Sequence, residues 1–153
     1  MDKRRVNVRG IIWRDGKLLA VKHKKDDGSE ADYWAVPGGG LDPHESLVSG
    51  VKRELSEEMA ITAEVGNLLF VQQFKSQRRG YEEELEFFFH ITNPIDFADT
   101  IDLSMTSHGN DEIARIQFID PHHELIYPRF LSTIAIDDYI ADHRPVYLFD
   151  ELA

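Results

Sequence analysis

Residues 38–61 read GGGLDPHESLVSGVKRELSEEMAI, and the interpretation of the whole chain turns on them. Pro37 through Pro43 has the composition of a loop, because three glycines open backbone conformations closed to other residues and two prolines fix the chain on either side. A helix is expected to start near Glu45, with Asp42 or His44 at its N-cap and Pro43 in the first turn. Leu47, Val48, Val51, Leu55 and Met59 recur at the three- and four-residue steps of one buried face.

Advancing about 100° per residue around that helix puts Gly50, Glu54, Glu57 and Glu58 on a second arc beside the apolar stripe. Like charges at this spacing cost a few tenths of a kcal/mol per pair unless a cation compensates them. Carboxylate oxygens in that number suit a hard divalent ion, Mg²⁺ or Mn²⁺. Gly50, at a helix-interior cost of about 1 kcal/mol relative to alanine, belongs where the preceding loop or a ligand approaches the backbone closely. Arg53 stands four residues before Glu57 on the same side, in reach to pair with that carboxylate and orient it.

The spacing Gly39, Glu45, Arg53-Glu54-Leu55, Glu57-Glu58, Ala60-Ile61 resembles the signature of the Nudix hydrolases. Ala60 stands where the family has glycine, and the other fixed positions agree. The departure falls just past the helix end, where glycine commonly adopts the left-handed conformation, so it touches the cap and none of the carboxylates. The resemblance implies an α/β/α sandwich with a mixed β-sheet between helices, the signature forming a loop–helix–loop. It also implies a metal-dependent hydrolase acting on a nucleoside diphosphate linked to another moiety, MutT-like and of nucleoside triphosphate pyrophosphohydrolase type. An ADP-sugar or dinucleoside polyphosphate hydrolase is the alternative, and a non-catalytic nucleotide or metal sensor on the same fold is the alternative of another class.

On that resemblance Arg53, Glu54 and Glu57 form the catalytic set. The metal ligands are Glu54, Glu57 and Glu58 with the carbonyl of Gly39, joined by Glu112 as the acidic residue beyond the signature. Glu57 is the first choice of general base, with Glu54 and Glu112 open.

The 153 residues, 42% of them hydrophobic, suffice for one domain with a core, and a single domain over 1–153 is expected. Twenty-eight acidic against 17 basic residues, a formal charge of −11, argue against tracking a nucleic-acid backbone by bulk electrostatics. An anionic small-molecule nucleotide has to be met by metal ions and a few placed cations. Without cysteine there is neither thiolate chemistry nor zinc–thiolate binding. No apolar run approaches the ~20 residues of a membrane span, and MDKRRVNVRG carries no apolar signal core, so a cytoplasmic protein is expected; homodimerisation is left open.

Along the rest of the chain, Val6–Trp13 and Lys17–Lys24 read as a hairpin about Asp15-Gly16. Tyr33–Val36 reads as a short strand in which Trp34 is a packing residue or a base-stacking one. Ile61–Lys75 is strand material with a break at Gly66-Asn67, and Ser76–Gly80 is a turn whose Arg78 and Arg79 are either part of an exposed hairpin loop or cations offered to substrate. In Glu82–Thr92 the set Leu85, Phe87, Phe89, Ile91 is assigned to the core. Glu84, Glu86, Phe88 and His90 are assigned to a solvated face or one turned to a charged site. Asn93–Asn110 is a long polar loop, Glu112 opens a strand to Ile119, and His122 and His123 are surface residues. Phe130–His143 is expected to be a second helix, and the terminal RPVYLFDELA to pack on the body.

Overall fold

The structure, a computed structural model, describes residues 3–98, 101, 103, 112–141 and 146–150, of which 147–150 as backbone. Asp15 and Gly16 both take positive φ, 52° and 75°, the twist-matched two-residue turn that joins β2 (Trp13–Arg14) to β3 (Lys17–His23). The hairpin is shorter than the sequence reading had it. β1 (Arg4–Ile11) runs parallel to β7 (Glu83–Ile91) and antiparallel to the glycines instead of pairing with β3. Those glycines are therefore a strand, β5 (Gly38–Gly40), in register with Asn7–Arg9, and not the loop their composition implied. Lacking side chains, they fit close against β1, where a Cβ on Gly38 would fall 2.0 Å from the Val8 carbonyl oxygen.

The strands form two mixed sheets. One has the order β10-β6-β7-β1-β5, with β6 (Val65–Lys75) antiparallel to β7 and β10 (Tyr147–Asp150) parallel to β6. The other has the order β2-β3-β4-β9, with β4 (Trp34–Ala35) and β8 (Ile113–Ile119) both antiparallel to β3 and β9 (Ile126–Tyr127) parallel to β4. Register shifts in β6 between Val65 and Phe70 coincide with the break expected at Gly66-Asn67. β10 docks the terminal segment on the body as expected.

Helix α1 (Leu47–Met59) covers one side. Val51, Leu55 and Met59 pack with Val8, Ile12, Leu19, Val21, Phe89 and Ile91 in one apolar cluster. On the other side Phe70, Phe88, Trp34 and Ile11 pack with Phe130, Leu131 and Ile136. The result is the α/β/α sandwich, with the second helical layer broken. A single 3₁₀ turn (Arg129–Ser132) and a short α2 (Ile136–Ala141) replace the continuous helix expected over Phe130–His143, and residues 142–145 lie outside the described set. Of the long loop after Asn93, a 3₁₀ turn at Pro94–Asp96 is described, and most of residues 99–111 lie outside the described set.

Two further assignments change. Val48 is 42% exposed and does not join the buried stripe, because Val51, Leu55 and Met59 already fill the sheet-facing arc. On β7 the face of Phe87, Phe89 and Ile91 packs in the α1-side cluster as expected, but the other face is buried and not solvated: Phe88 joins the second cluster, and Glu84 and Glu86 are turned to charged partners. The two glutamates are buried because arginines and an asparagine on β1 pair with them.

Candidate active site

Helix α1 begins two residues later than expected, at Leu47. Ser46 is the N-cap, its Oγ accepting from the Ser49 amide at 3.1 Å. Asp42 to Glu45 instead forms a tight turn, with the Glu45 amide donating to the Asp42 carbonyl and His44 at φ 63°. Glu45 is thus placed before the helix, where its carboxylate accepts from the Asp42 amide and from Arg53. Gly50 lets this turn lie on the helix: a Cβ there would meet Leu41 Cδ1 at 2.6 Å and Glu45 Oε1 at 3.1 Å. The close approach inferred from its place in the sequence is realised. At the other end Ala60 takes φ 56° and ψ 33°, the left-handed cap, with its amide on the Ser56 carbonyl.

Arg53 ties the signature together. Its guanidinium donates to Glu45 at 2.8 and 2.9 Å, to Glu54 at 2.9 Å, to Glu57 at 3.2 Å and to the Gly40 carbonyl at 3.0 Å. Four acceptors on three stretches of chain are met by one planar fork, which a lysine ammonium does not reproduce. The Glu45 hydrogen bonds, despite partial desolvation, hold the Arg53 pKa above its ordinary value, and the Glu45 carboxyl is correspondingly lowered.

Glu58 is the outlier. It is 6% exposed, its Oε1 accepts from the Gly38 amide at 3.0 Å, and its buried Oε2 has no hydrogen-bond partner. Burial pushes its carboxyl up to about 8 against the opposing charge of Arg9, and the Glu54 and Glu112 carboxylates push the same way. Glu54 is raised by burial too, opposed by Arg53. Gly39 lies directly against it, since a Cβ there would fall 2.6 Å from Glu54 Oε2.

The donors available here are carboxylate and carbonyl oxygens, with an unpartnered buried oxygen among them, and they fit a hard divalent cation. Among the described residues no three carboxylates surround one point in this arrangement, because Glu54 and Glu57 are both turned to Arg53. Glu112 immediately precedes β8, exposed, its carbonyl accepting from the Lys24 amide at 2.9 Å and its charge felt at Glu58. Glu54, Glu57, Glu58, Gly39 and Arg53 are thus brought together, with Glu112 in their electrostatic neighbourhood.

Of the remaining candidates, Arg78 is half-exposed on the turn after β6 with Nε 3.2 Å from Glu84, and Arg79 is exposed beside it. Trp34 is 3% exposed in the second core, with Lys22 and Arg115 at 5.1 and 5.2 Å over its ring, so it packs and does not present an open stacking face. Sequence reading passed over Arg9, part-buried with Nε 2.8 Å from Glu86. The alternation Arg5-Asn7-Arg9 facing Glu84-Glu86 was the available signal.

Residues 3–135 match the NUDIX domain family. Over 76 residues the chain is 41% identical to a MutT-like protein of Streptomyces ambofaciens, covering 49% of this chain and 45% of that protein. The CTP pyrophosphohydrolase of Escherichia coli K12 is 38% identical over 66 residues, 43% of this chain and 48% of that one. The chain thus spans about half the length of these curated relatives. The solution structure of the E. coli ORF135 protein superposes with a TM-score of 0.69 at 22% identity, over 94% of this chain and 96% of that one, a likeness of fold. With the signature carried on β5, the turn after it and α1, and the family match covering residues 3–135 of the 153, the chain belongs to the Nudix hydrolase family.

Proposed function

We propose that the protein is a metal-dependent hydrolase that cleaves a phosphoanhydride bond in nucleoside diphosphate-linked substrates, of MutT-like nucleoside triphosphate pyrophosphohydrolase type. The observation that carries this reading is Glu58, a buried carboxylate with an unpartnered oxygen beside the Gly38–Gly39 backbone and on one helix arc with Glu54 and Glu57. An ionised carboxylate so placed is costly without a compensating cation.

Glu54, Glu57, Glu58 and the Gly39 carbonyl are the groups that would hold Mg²⁺ or Mn²⁺, with Glu112 as a further donor. Bound there, the cation supplies neutralisation of phosphate charge and a more acidic water. The protein's own part is orientation and proton transfer. Arg53, anchored on Glu45 and the Gly40 carbonyl, fixes the directions of Glu54 and Glu57. Glu57, the most exposed of the three helix carboxylates, accepts the proton of the attacking water, with Glu54 and Glu112 as the alternative bases. Arg78 and Arg79 are the cations available to the outer part of the substrate.

The names of two similar proteins, a MutT-like protein and a CTP pyrophosphohydrolase, support the nucleoside triphosphate class. The test is a panel of nucleoside triphosphates, ADP-ribose, dinucleoside polyphosphates and nucleotide sugars with Mg²⁺ and with Mn²⁺. Pyrophosphate and a nucleoside monophosphate from a triphosphate are expected. Preferred turnover of ADP-ribose or a dinucleoside polyphosphate moves the assignment to the alternative class, and binding without any turnover identifies a sensor and overturns the hydrolase reading.

A further inference from the structure

Side chains alternate along β1, so Arg5, Asn7 and Arg9 share the face of Ile11, opposite the Val8 face that packs on α1. The parallel register with β7 sets Arg5 beside Glu84 and Asn7 beside Glu86. The Asn7 side-chain Nδ2 donates to Glu84 at 3.2 Å and to Glu86 at 3.4 Å, Arg5 Nε donates to Asn7 Oδ1 at 2.6 Å, and Arg9 Nε donates to Glu86 at 2.8 Å. Such a row is not the cheapest way to hold two strands together, because apolar residues of similar volume generally do so as well or better.

What distinguishes Arg9 is its other end. Its Nη1 donates to the Val36 carbonyl at 3.3 Å. The next carbonyl, that of Pro37, accepts from the Gly10 amide at 3.0 Å, and the next amide, that of Gly38, donates to Glu58 at 3.0 Å. Gly38, at φ 141°, has no room for a Cβ, which would meet Val8 O at 2.0 Å and Arg9 Cδ at 3.0 Å. Gly39 follows, pressed on the Glu54 carboxylate. Val36 to Gly39 is thus clamped between Arg9 and β1 on one side and the helix carboxylates on the other.

We propose that Arg9, itself oriented by Glu86, is a positioning residue: by holding the Val36 carbonyl it sets Gly38 and Gly39 where Glu54 and Glu58 turn their oxygens toward a divalent cation. The inference rests on the metal-binding reading above, and its sign separates it from a mere charge effect. Arg9 is a cation beside the carboxylates, so deleting its charge alone would tighten binding of a divalent ion, whereas losing the clamp loosens it.

The experiment is a Mn²⁺ titration without substrate, by calorimetry or electron paramagnetic resonance, on wild type, Arg9→Met, Arg9→Lys, Glu86→Gln and the Arg9→Met/Glu86→Gln double variant. Folding is checked by circular dichroism, and kcat and KM follow on the same samples. The dissociation constant for Mn²⁺ is expected to rise about tenfold or more in both Arg9 variants, as for lost outer-sphere partners of metal ligands. Lysine does not rescue, because it cannot span Glu86 and the Val36 carbonyl together. The double variant is expected to be no worse than Arg9→Met, since Glu86 acts through Arg9. Should Arg9→Met not fold, the near-isosteric Glu86→Gln and Arg9→Lys carry the test. A folded Arg9→Lys with wild-type Mn²⁺ affinity and turnover overturns the proposal, as does tighter binding in Arg9→Met. If wild type itself binds no Mn²⁺ and hydrolyses nothing, the metal-binding reading fails first and the proposal with it.

Discussion

Glu57 and Glu58, adjacent in sequence, stand in different environments. Glu58 is buried against the Gly38 amide, whereas Glu57 stays partly exposed and is held by Arg53. Glu57→Gln keeps the shape and an acceptor for Arg53 while removing the charge and the basic oxygen. Turnover is therefore expected to fall by at least ~10², the lower scale for a lost acid–base role, with little change in melting temperature. A folded variant with near-normal kcat would transfer the base role to Glu54 or Glu112. Ala60 offers a test of conformation free of chemistry. It occupies the left-handed cap at φ 56°, where glycine avoids the Cβ strain, so Ala60→Gly is expected to stabilise by about 1 kcal/mol. An unchanged or lower melting temperature would mean that glycine's extra freedom in the unfolded chain cancels the relief.

At the scale of the element, α1 is positioned by what precedes it. Ser46 caps it, Gly50 admits the Leu41–Glu45 turn against it, and Arg53 reaches back to Glu45 and Gly40. Ser46→Ala removes the side-chain oxygen that accepts from the Ser49 amide in the first turn, and should cost about 1 kcal/mol of stability. Because the Arg53 grip is untouched, kcat should remain within a factor of two or so, roughly what a few tenths of a kcal/mol allows. A large loss of activity at unchanged stability would show that the cap, and not Arg53, sets the carboxylate directions. Arg53 was recognisable in the sequence because four residues on a helix fix its neighbour Glu57. Its bonds to Glu45 and Gly40 depend on a turn whose geometry periodicity does not describe.

For the molecule as a whole, the buried carboxylate couples folding to pH and to metal. Without metal, Glu58 carries its proton in the folded state up to about pH 8 but loses it near the ordinary value of 4.5 when unfolded. Between those values the folded state binds more protons, so this group's stabilisation is complete below the unfolded value and drains away as pH rises, by at most about 1.4 kcal/mol per pH unit. His23 and His90, lowered by burial, contribute the opposite slope. The difference between wild type and Glu58→Gln isolates the glutamate. In EDTA the stability of wild type relative to the variant is expected to fall from pH 5 to pH 8, and parallel curves would show that Glu58 titrates normally. Mn²⁺ or Mg²⁺ should raise the wild-type melting temperature, by the equivalent of about 2.7 kcal/mol at a hundredfold excess over the dissociation constant, and much less in Glu58→Gln. No shift across millimolar Mg²⁺ would mean that the ions arrive only with the substrate phosphates. Among the described residues no helix is long and apolar enough to cross a membrane.

The sequence alone determined the family, the arc of Glu54, Glu57 and Glu58, the pairing of Arg53 with Glu57 and the left-handed cap at Ala60. All of these are consequences of helical period and local spacing, which are properties of residues a few positions apart. It also carried the turn at Asp15-Gly16, because positive φ at two successive residues is a local demand. Strand partners were decided elsewhere. That the glycines pair with β1, that β1 runs beside β7, and that Glu84 and Glu86 are buried against Arg5, Asn7 and Arg9 all depend on contacts between residues some 30 to 80 positions apart. A glutamate in a strand has the same local pattern whether water or an arginine from a distant strand satisfies it. Only the tertiary structure brings that arginine, and with it separates the buried Glu58 from the more open Glu57.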